Sequence, residues 1–321
     1  MSVRNKIVFL FSGQGSHYRG MGSLLYKNNK AFAKSFDQSN ELIAAYTGVS
    51  IKQELYEKKD FKFDDLLITH PAILAIEIAM LNAMEDLGII PDYVSGNSLG
   101  EFAAAVAAGI LNEKIALKLV IDQAKSIVQN SLNGGMIAVF EINKQELISL
   151  MKNKNLYIAS ENYSTHFTLS GKKEDIDNLQ NELKILNIPF FRLPVAYPFH
   201  SPLLKGRQKN NISFELLKKP SKSEFVSGLL CQELTEFPLD YFWKTIKKPT
   251  KFSRLVDYLE QDGPCFYIDL GPSGTMANFV KYNLPQKSTS ITYSIMNQFK
   301  KELNQFNKLQ QILLTNTVNI K

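Results

Sequence analysis

The chain has 321 residues, of which 45% are hydrophobic and 21% are charged, and its formal net charge is +6. This is ordinary globular usage, so a disordered or low-complexity chain is excluded. The length predicts two domains, or one large domain with an insertion. We expect no membrane contact, because no apolar run approaches the roughly 18 residues of a membrane span.

Cysteine and lysine usage narrows the class further. The two cysteines, Cys231 and Cys265, have no metal-ligand spacing and form no disulfide scaffold, so we expect a cytoplasmic protein without a metal or redox cofactor. No basic stripe is interleaved with aromatic residues, so nucleic-acid binding is not expected. Lysine pairs recur at 172–173, 218–219, 247–248 and 300–301. They indicate either a solvated surface or a positive rim that steers an acidic macromolecular partner.

The first part of the chain alternates strands and helices. Residues 6–11 are apolar and predict a buried strand that ends in a glycine turn at 12–15. Helices are predicted over 22–46 and 71–87, and the second, opened by Pro71, is apolar nearly all round, which indicates burial. A short strand at 93–95 leads through residues 96–100 into helices at 101–108 and 113–129.

After residue 130 the pattern changes. The order strand, helix, strand, strand, helix, strand is typical of a ferredoxin-like subdomain; its predicted elements are 136–142, 144–152, 157–161, 167–170, 173–186 and 189–195. Alternation then resumes with strands at 225–230, 265–270 and 288–293 and helices at 250–261, 275–282 and 300–314. We therefore predict an α/β fold with a mostly parallel sheet over 1–130 and 196–321, and a small subdomain at 131–195.

Residues 96–100, Gly-Asn-Ser-Leu-Gly, fit the pattern G-x-S-x-G between a predicted strand and a predicted helix. In that context Ser98 lies on a sharp turn and presents its Oγ at the carboxyl end of the sheet. The N-terminal N–H groups of the next helix point at the same place, and the N–H of Leu99 would stabilise an oxyanion. An ordinary turn is the alternative interpretation of the five residues alone.

A nucleophilic serine needs a base, and the chain has four histidines: His17, His70, His166 and His200. His200 follows a predicted strand, and His17 follows the first glycine turn. Spacing alone does not choose between these two. For each lone histidine a purely structural role is the alternative.

Seven motifs occur together in a fixed order, at residues 11–16, 69–72, 96–101, 107–109, 197–200, 241–252 and 269–274. With them the chain resembles, over almost its whole length, the malonyl-CoA:acyl-carrier-protein transacylase family, the acyltransferases of fatty-acid and polyketide synthases. The resemblance implies a hydrolase-like α/β domain with a ferredoxin-like insert. It also implies an enzyme with a serine–histidine dyad, in which Ser98 attacks an acyl thioester and His200 acts as base and then as acid.

The resemblance implies further roles. The oxyanion hole would be formed by the backbone N–H groups of Leu99 and Gln14. A backbone carbonyl would orient the histidine, and counting back from Pro249 assigns it to Thr245. The partner would be an acidic acyl-carrier protein, whose phosphopantetheine arm presents the thioester, or coenzyme A would carry the acyl group. We expect a monomer.

The chain departs from the family at the residues that determine acyl-group selectivity. Malonyl transferases have an arginine 25 residues after the nucleophile, where this chain has Gln123. An unpaired malonyl carboxylate would cost about 3–5 kcal/mol, so a neutral acyl group is predicted. Asn97 replaces a histidine and His70 a glutamine, and both are expected to bind substrate with Gln123. Phe199, typical of malonyl-type members, is a fourth predicted contact and indicates the opposite preference.

The change from arginine to glutamine fits stand-alone acyltransferase homologues of polyketide pathways, which hydrolyse acyl groups from carrier proteins. Our leading hypothesis is therefore a proofreading thioester hydrolase for short neutral acyl groups on carrier proteins. One alternative is a transferase that loads malonyl or another acyl group from coenzyme A in trans. A minor alternative is an inactive docking subunit, which the presence of Ser98, His200 and the turn at Gln14 disfavours.

Overall fold

The computed structural model describes residues 5–59, 63–206, 223–238 and 240–318. Their strands are β1 (Lys6–Phe11), β2 (Tyr93–Gly96), β3 (Gly134–Phe140), β4 (Leu156–Tyr163), β5 (His166–Lys172), β6 (Phe190–Arg192), β7 (Glu224–Ser227), β8 (Gln232–Glu233), β9 (Thr250–Lys251), β10 (Cys265–Asp269) and β11 (Ile291–Ser294). Their helices are α1 (Ser23–Asn28), α2 (Lys30–Thr47), α3 (Ile51–Tyr56), α4 (Leu66–Asp86), α5 (Gly100–Ala107), α6 (Glu113–Asn130), α7 (Lys144–Met151), α8 (Lys173–Ile185), α9 (Tyr241–Lys247), α10 (Phe252–Leu259), α11 (Thr275–Asn283) and α12 (Glu302–Val318).

The large sheet has the strand order β11-β10-β1-β2-β7-β8. Its pairs from β11 to β7 are parallel, and β7 pairs with β8 in the antiparallel direction. The predicted mostly parallel sheet is therefore confirmed. Phe11 lies opposite Gly96 at the carboxyl ends of β1 and β2. The turn that follows β1 and the turn that follows β2 consequently meet at one edge of the sheet.

The small sheet has the order β6-β3-β5-β4-β9. Its first four strands pair antiparallel, and they alternate with α7 and α8 in the predicted ferredoxin-like pattern. The fifth strand, β9, comes from far along the chain and pairs in parallel with β4, Thr250 opposite Ser160. This pairing connects the small sheet directly to the segment between α9 and α10.

Helix α4 begins at Leu66, five residues before the predicted start at Pro71. Asp65 caps it by accepting a hydrogen bond from the Leu67 N–H, and Pro71 is accommodated inside the helix. The expectation that no apolar segment reaches the length of a membrane span is wrong for α4 on length and composition. Its most apolar window is 83% buried in the protein, however, which is what a core helix requires.

The predicted helix over 22–46 is two helices, α1 and α2, separated at Asn29. Asn29 has an extended backbone, and its side chain accepts a hydrogen bond from the Phe32 N–H, so it caps the second helix. The cap residue interrupts the helix even though the apolar periodicity continues through it. Both helices pack on the main core cluster through residues such as Leu25 and Phe32.

Candidate active site

Ser98 lies at the tip of the turn between β2 and α5, with a backbone φ of 59°. This left-handed conformation is costly for a residue with a side chain and is typical of a nucleophile turn. Glycines on either side make the turn possible. A Cβ on Gly96 would lie 2.1 Å from the Gly100 carbonyl carbon, and one on Gly100 would lie 2.2 Å from the Phe11 oxygen. The two glycines of the G-x-S-x-G pattern are therefore needed, because any side chain at either position would clash with the backbone.

The N–H groups of Leu99 and Gln14 have no hydrogen-bond acceptor among the described residues. The turn after β1 approaches the serine closely, because a Cβ on Gly13 would lie 3.1 Å from Ser98 Cβ and 3.6 Å from Leu99 N. Unpaired amides beside a nucleophile are what an oxyanion hole needs. The arrangement is consistent with the predicted pair of donors.

His200 lines the same cavity as Ser98 and also has a left-handed backbone, with φ 56°. Its Nδ1 lies 2.7 Å from the backbone oxygen of Lys248. A carbonyl only accepts, so Nδ1 carries the proton and Nε2 has a free lone pair. Burial lowers the pKa of His200 to about 4. The imidazole is therefore neutral at pH 7, as a general base must be.

The prediction that Thr245 supplies the orienting carbonyl is wrong. Thr245 lies inside α9, where its hydroxyl donates to the Phe242 carbonyl. The chain leaves the helix at Lys248, which is extended (φ −88°, ψ 146°) because Pro249 follows it. The carbonyl released from the helix at that point is the one that reaches His200.

The other histidines have structural partners. His17 Nε2 donates to the Phe63 carbonyl at 3.0 Å, and the His17 ring packs edge-on against Phe63 at 5.5 Å. Burial lowers its pKa to about 4. His17 is outside the described lining of the cavity. The structure therefore favours His200 over His17 as the candidate base, a question that sequence spacing alone left open.

A cavity of about 420 Å³ joins the turns at the edge of the large sheet to the face of the small sheet. Among the described residues that line it, Ser98, Gln14 and His200 face side chains of β3 to β5. None of those described lining residues is Lys, Arg, Asp or Glu. His166, on the small-sheet side, is neutral as well, because burial lowers its pKa to about 4. The described wall is therefore uncharged at neutral pH.

The predicted acyl contacts divide into two groups. Asn97 and Phe199 line the cavity, whereas Gln123 and His70 are not among its described lining residues. Gln123 Nε2 donates to the Phe242 carbonyl at 2.9 Å, and its buried Oε1 has no described partner. His70 is fully buried and bonds to Gln14. Tertiary partners hold the side chains of Gln123 and His70, and their contact with substrate stays a prediction.

Two buried carboxyl groups near the site were missed by sequence reasoning. Glu77 Oε1 accepts the Ser12 N–H at 2.7 Å, and Glu101 accepts the Leu229 N–H at 2.9 Å. Burial raises the pKa of Glu77 well above its usual range and that of Glu101 to about 8. The sequence did contain a signal for each: Glu77 lies inside a long apolar helix, and Glu101 directly follows the serine motif.

These features define an α/β protein whose serine, on a nucleophile turn, faces a cavity between two sheets. Residues 8–320 match the family described as the acyl transferase domain, so the chain belongs to that family. It is 38% identical over 319 residues to the polyketide biosynthesis acyltransferase homolog PksD of Bacillus subtilis (strain 168), covering 96% of this chain and 97% of that protein. The predicted family is confirmed.

Solved structures agree on the fold. A loading acyltransferase from the avermectin modular polyketide synthase superposes with a TM-score of 0.82 at 23% identity, covering 95% of this chain and 99% of that one. The malonyl CoA-acyl carrier protein transacylase from Clostridium perfringens gives 0.76 at 21% identity, covering 98% and 100%. The predicted hydrolase-like α/β fold with a ferredoxin-like insert is that of these proteins.

Proposed function

We propose that this protein is a serine acyl enzyme that removes short neutral acyl groups from the carrier proteins of a polyketide pathway by hydrolysis. Ser98 is the nucleophile and His200 the base. The polyketide setting is taken from the relative PksD, which matches this chain over nearly its full length. The carrier protein presents the acyl thioester on its phosphopantetheine arm, and the chain needs no other cofactor for these steps.

In the first half-reaction, His200 Nε2 takes the Ser98 hydroxyl proton while Oγ forms a bond to the thioester carbonyl carbon. The carbonyl oxygen becomes an oxyanion and accepts hydrogen bonds from the Leu99 and Gln14 N–H groups. The carbon–sulfur bond then breaks, and His200 returns the proton to the departing thiolate. The products are an acyl-Ser98 ester and the free thiol of the carrier protein.

In the second half-reaction, water takes the place of the thiol. His200 Nε2 accepts a proton from water as its oxygen attacks the ester carbon, and the same two N–H groups stabilise the oxyanion. Collapse breaks the bond to Ser98 Oγ, which regains a proton from His200. A carboxylic acid leaves, and the enzyme is restored.

The observation that carries the preference for neutral acyl groups is the uncharged wall of the cavity among the described residues. A malonyl group would therefore lose its hydration without gaining a cation, at a cost of about 3–5 kcal/mol.

One observation favours the transferase alternative. Phe199, the residue of malonyl-type family members, lines the cavity. If a thiol replaces water in the second half-reaction, the same chemistry loads an acyl group onto a carrier protein in trans. The two functions share Ser98 and His200 and differ only in the acceptor.

Lysines beside the base fit an acidic carrier protein. Lys248 is exposed, and its own backbone carbonyl is the one that orients His200. Lys247 is half-buried, and its ammonium donates to the Leu204 carbonyl. Burial lowers the pKa of Lys247, and the positive charges of neighbouring Lys205 and Lys248 lower it further. The three lysines thus form a local concentration of positive charge. Lys173 by contrast pairs with Asp177 at 2.6 Å. The predicted pair at 218–219 lies outside the described residues.

The experiment that separates the acceptors uses acetyl-carrier protein, a trace of enzyme and an excess of free phosphopantetheinylated carrier protein of distinguishable mass. Hydrolysis predicts free acetate and little acetyl on the second carrier. Acetyl appearing mainly on the second carrier would establish transfer and contradict the hydrolase proposal. A Ser98→Ala variant provides the blank in both cases.

A further inference from the structure

Helix α4 is a core helix with an unusual set of buried polar residues. Thr69, His70 and Glu77 are all fully buried in it, among apolar neighbours such as Ile73 and Ile76. Residues seven apart lie on the same face of an α-helix, two turns from each other. His70 and Glu77 therefore present polar groups in one direction. In that direction lies the turn after β1, residues 12–16, which we call the oxyanion loop.

His70 and Thr69 hold Gln14 from both sides of its amide group. The Nδ1–H of His70 donates to Gln14 Oε1 at 2.9 Å, and Gln14 Nε2 donates to Thr69 Oγ1 at 2.8 Å. Both ends of the amide are thus bound to adjacent residues of one rigid helix. The backbone N–H of the same Gln14 is a donor of the proposed oxyanion hole, so anchoring the side chain restricts the direction of that N–H.

Glu77 holds the beginning of the same loop. Its Oε1 lies 2.7 Å from Ser12 N and 2.9 Å from Ser12 Oγ. The Ser12 hydroxyl also lies 3.0 Å from Ser16 Oγ, which donates to the Gly13 carbonyl at 2.8 Å. The loop is consequently fixed at Ser12 and at Gln14, on either side of the glycine that packs against Ser98.

The His70 ring also contacts the segment that carries the base. It stacks on Phe199 with ring centroids 5.7 Å apart and planes 25° apart, and Phe199 directly precedes His200. One imidazole therefore touches both the oxyanion loop and the residue next to the base. Burial lowers the pKa of His70 to about 3, so the ring stays neutral while substrate reacts at neutral pH.

We propose that His70 is a positioning residue that fixes the oxyanion N–H of Gln14 relative to His200, and that it acts through its hydrogen bond to Gln14. This inference rests on the proposed function, because it assigns a role in forming the oxyanion. His70 is not among the described residues that line the cavity, so its loss affects the transition state more than substrate binding. A positioning error of about 1 Å costs about 100-fold in rate.

Three variants test the proposal. His70→Phe keeps a ring against Phe199 but removes the donor, and His70→Gln restores a donor to Gln14. Ile73→Val, on the same buried helix, perturbs packing alone. With p-nitrophenyl acetate we expect His70→Phe to lower kcat about 10- to 100-fold with KM within twofold, while His70→Gln and Ile73→Val stay within about threefold of wild type.

Three results would overturn the proposal. The first is a His70→Phe kcat within twofold of wild type. The second is an equal fall for His70→Phe and His70→Gln, which would assign the effect to lost packing instead of the hydrogen bond. The third is a raised KM with unchanged kcat, which would make His70 a substrate contact.

A second readout separates this inference from the proposed function. Labelling of Ser98 by a fluorophosphonate needs the nucleophile and the oxyanion donors but no carrier protein. We expect the labelling rate constant of His70→Phe to fall by the same factor as its kcat. If wild-type enzyme labels at Ser98 but leaves every acyl-carrier protein intact, the hydrolase proposal fails while the role of His70 is still decided by the labelling rates.

Discussion

The Nδ1–H of His200 donates to the backbone carbonyl of Lys248 at 2.7 Å. The partner of His200, the proposed base, is thus a peptide dipole and not a carboxylate. A carbonyl fixes the tautomer and direction of the ring, but it has no full charge with which to stabilise an imidazolium. Burial lowers the pKa of His200 to about 4, and the hydrogen bond to the Lys248 carbonyl only partly offsets that shift.

Replacing Pro249 should disturb the base without touching it. Pro249 keeps Lys248 extended, so Pro249→Gly lets the orienting carbonyl sample other directions. We expect kcat to fall about tenfold with p-nitrophenyl acetate. Pro189, which precedes β6 of the small sheet, is also exposed. Pro189→Gly raises the entropy of the unfolded chain in the same way, so this variant is the control. Equal kcat values for the two variants would contradict the role given to the Lys248 carbonyl.

The pH profile should report the buried base. As the proposed base, His200 acts when neutral, so we expect kcat/KM to rise as pH passes its pKa of about 4 and to be level by pH 6. An unperturbed histidine would give a midpoint near 6.5. The measurement is kcat/KM for p-nitrophenyl acetate between pH 4 and 8, and a midpoint between 6 and 7 would contradict the burial argument.

Stability limits that profile on the acid side. The folded-state pKa values of His17, His166 and His200 are about 4, below the unfolded value of 6.5. Between these values the unfolded chain binds more protons than the folded protein, so these groups make the free energy of unfolding fall as pH drops. Circular dichroism should therefore be recorded at each pH, and only rates measured where the protein is folded should be used in the pH profile.

Gly13→Ala should damage the site while leaving the fold. A Cβ there would lie 2.7 Å from the Asn97 oxygen, which is backbone and cannot move aside. The loop and the nucleophile turn must separate, so we expect kcat to fall about 100-fold or more, as for a lost oxyanion donor. Gly88→Ala is the control, since its φ is 74° but no atom lies within 4 Å of the added Cβ. A Gly13→Ala enzyme with wild-type kcat would disprove this packing argument.

Gln123→Arg should shift acyl selectivity toward malonyl. A guanidinium pairs with the malonyl carboxylate, which otherwise enters an uncharged cavity. Gln123 is not part of the described lining, so we expect the ratio of malonyl to acetyl turnover to rise at least about tenfold, short of the hundredfold or more of a full charge pair. Gln123→Met is the uncharged control of similar length. An equal shift in both variants would exclude a charge effect.

The sequence was informative where function requires local geometry. The glycines around Ser98, the apolar strands and the ferredoxin-like order each follow from short-range rules, and each was predicted. The start of α4 was predicted too late because Pro71 was taken as the first helical residue, whereas Asp65 caps the helix and Pro71 lies inside it. The orienting carbonyl was misassigned because a residue count does not reveal where a helix ends. The bonds from His70 and Glu77 to the loop join residues 56 and 65 apart in sequence, so only tertiary packing reveals them.

In the proposed function, Ser98 takes the acyl group of a neutral thioester and passes it to water. The most direct measurement is intact-protein mass spectrometry of acetyl- and malonyl-carrier proteins, each mixed with a trace of wild-type or Ser98→Ala enzyme. We expect the wild-type enzyme to remove acetyl faster than malonyl and the Ser98→Ala variant to remove neither. Stable acetyl-carrier protein with wild-type enzyme, or equal loss with Ser98→Ala, would contradict it.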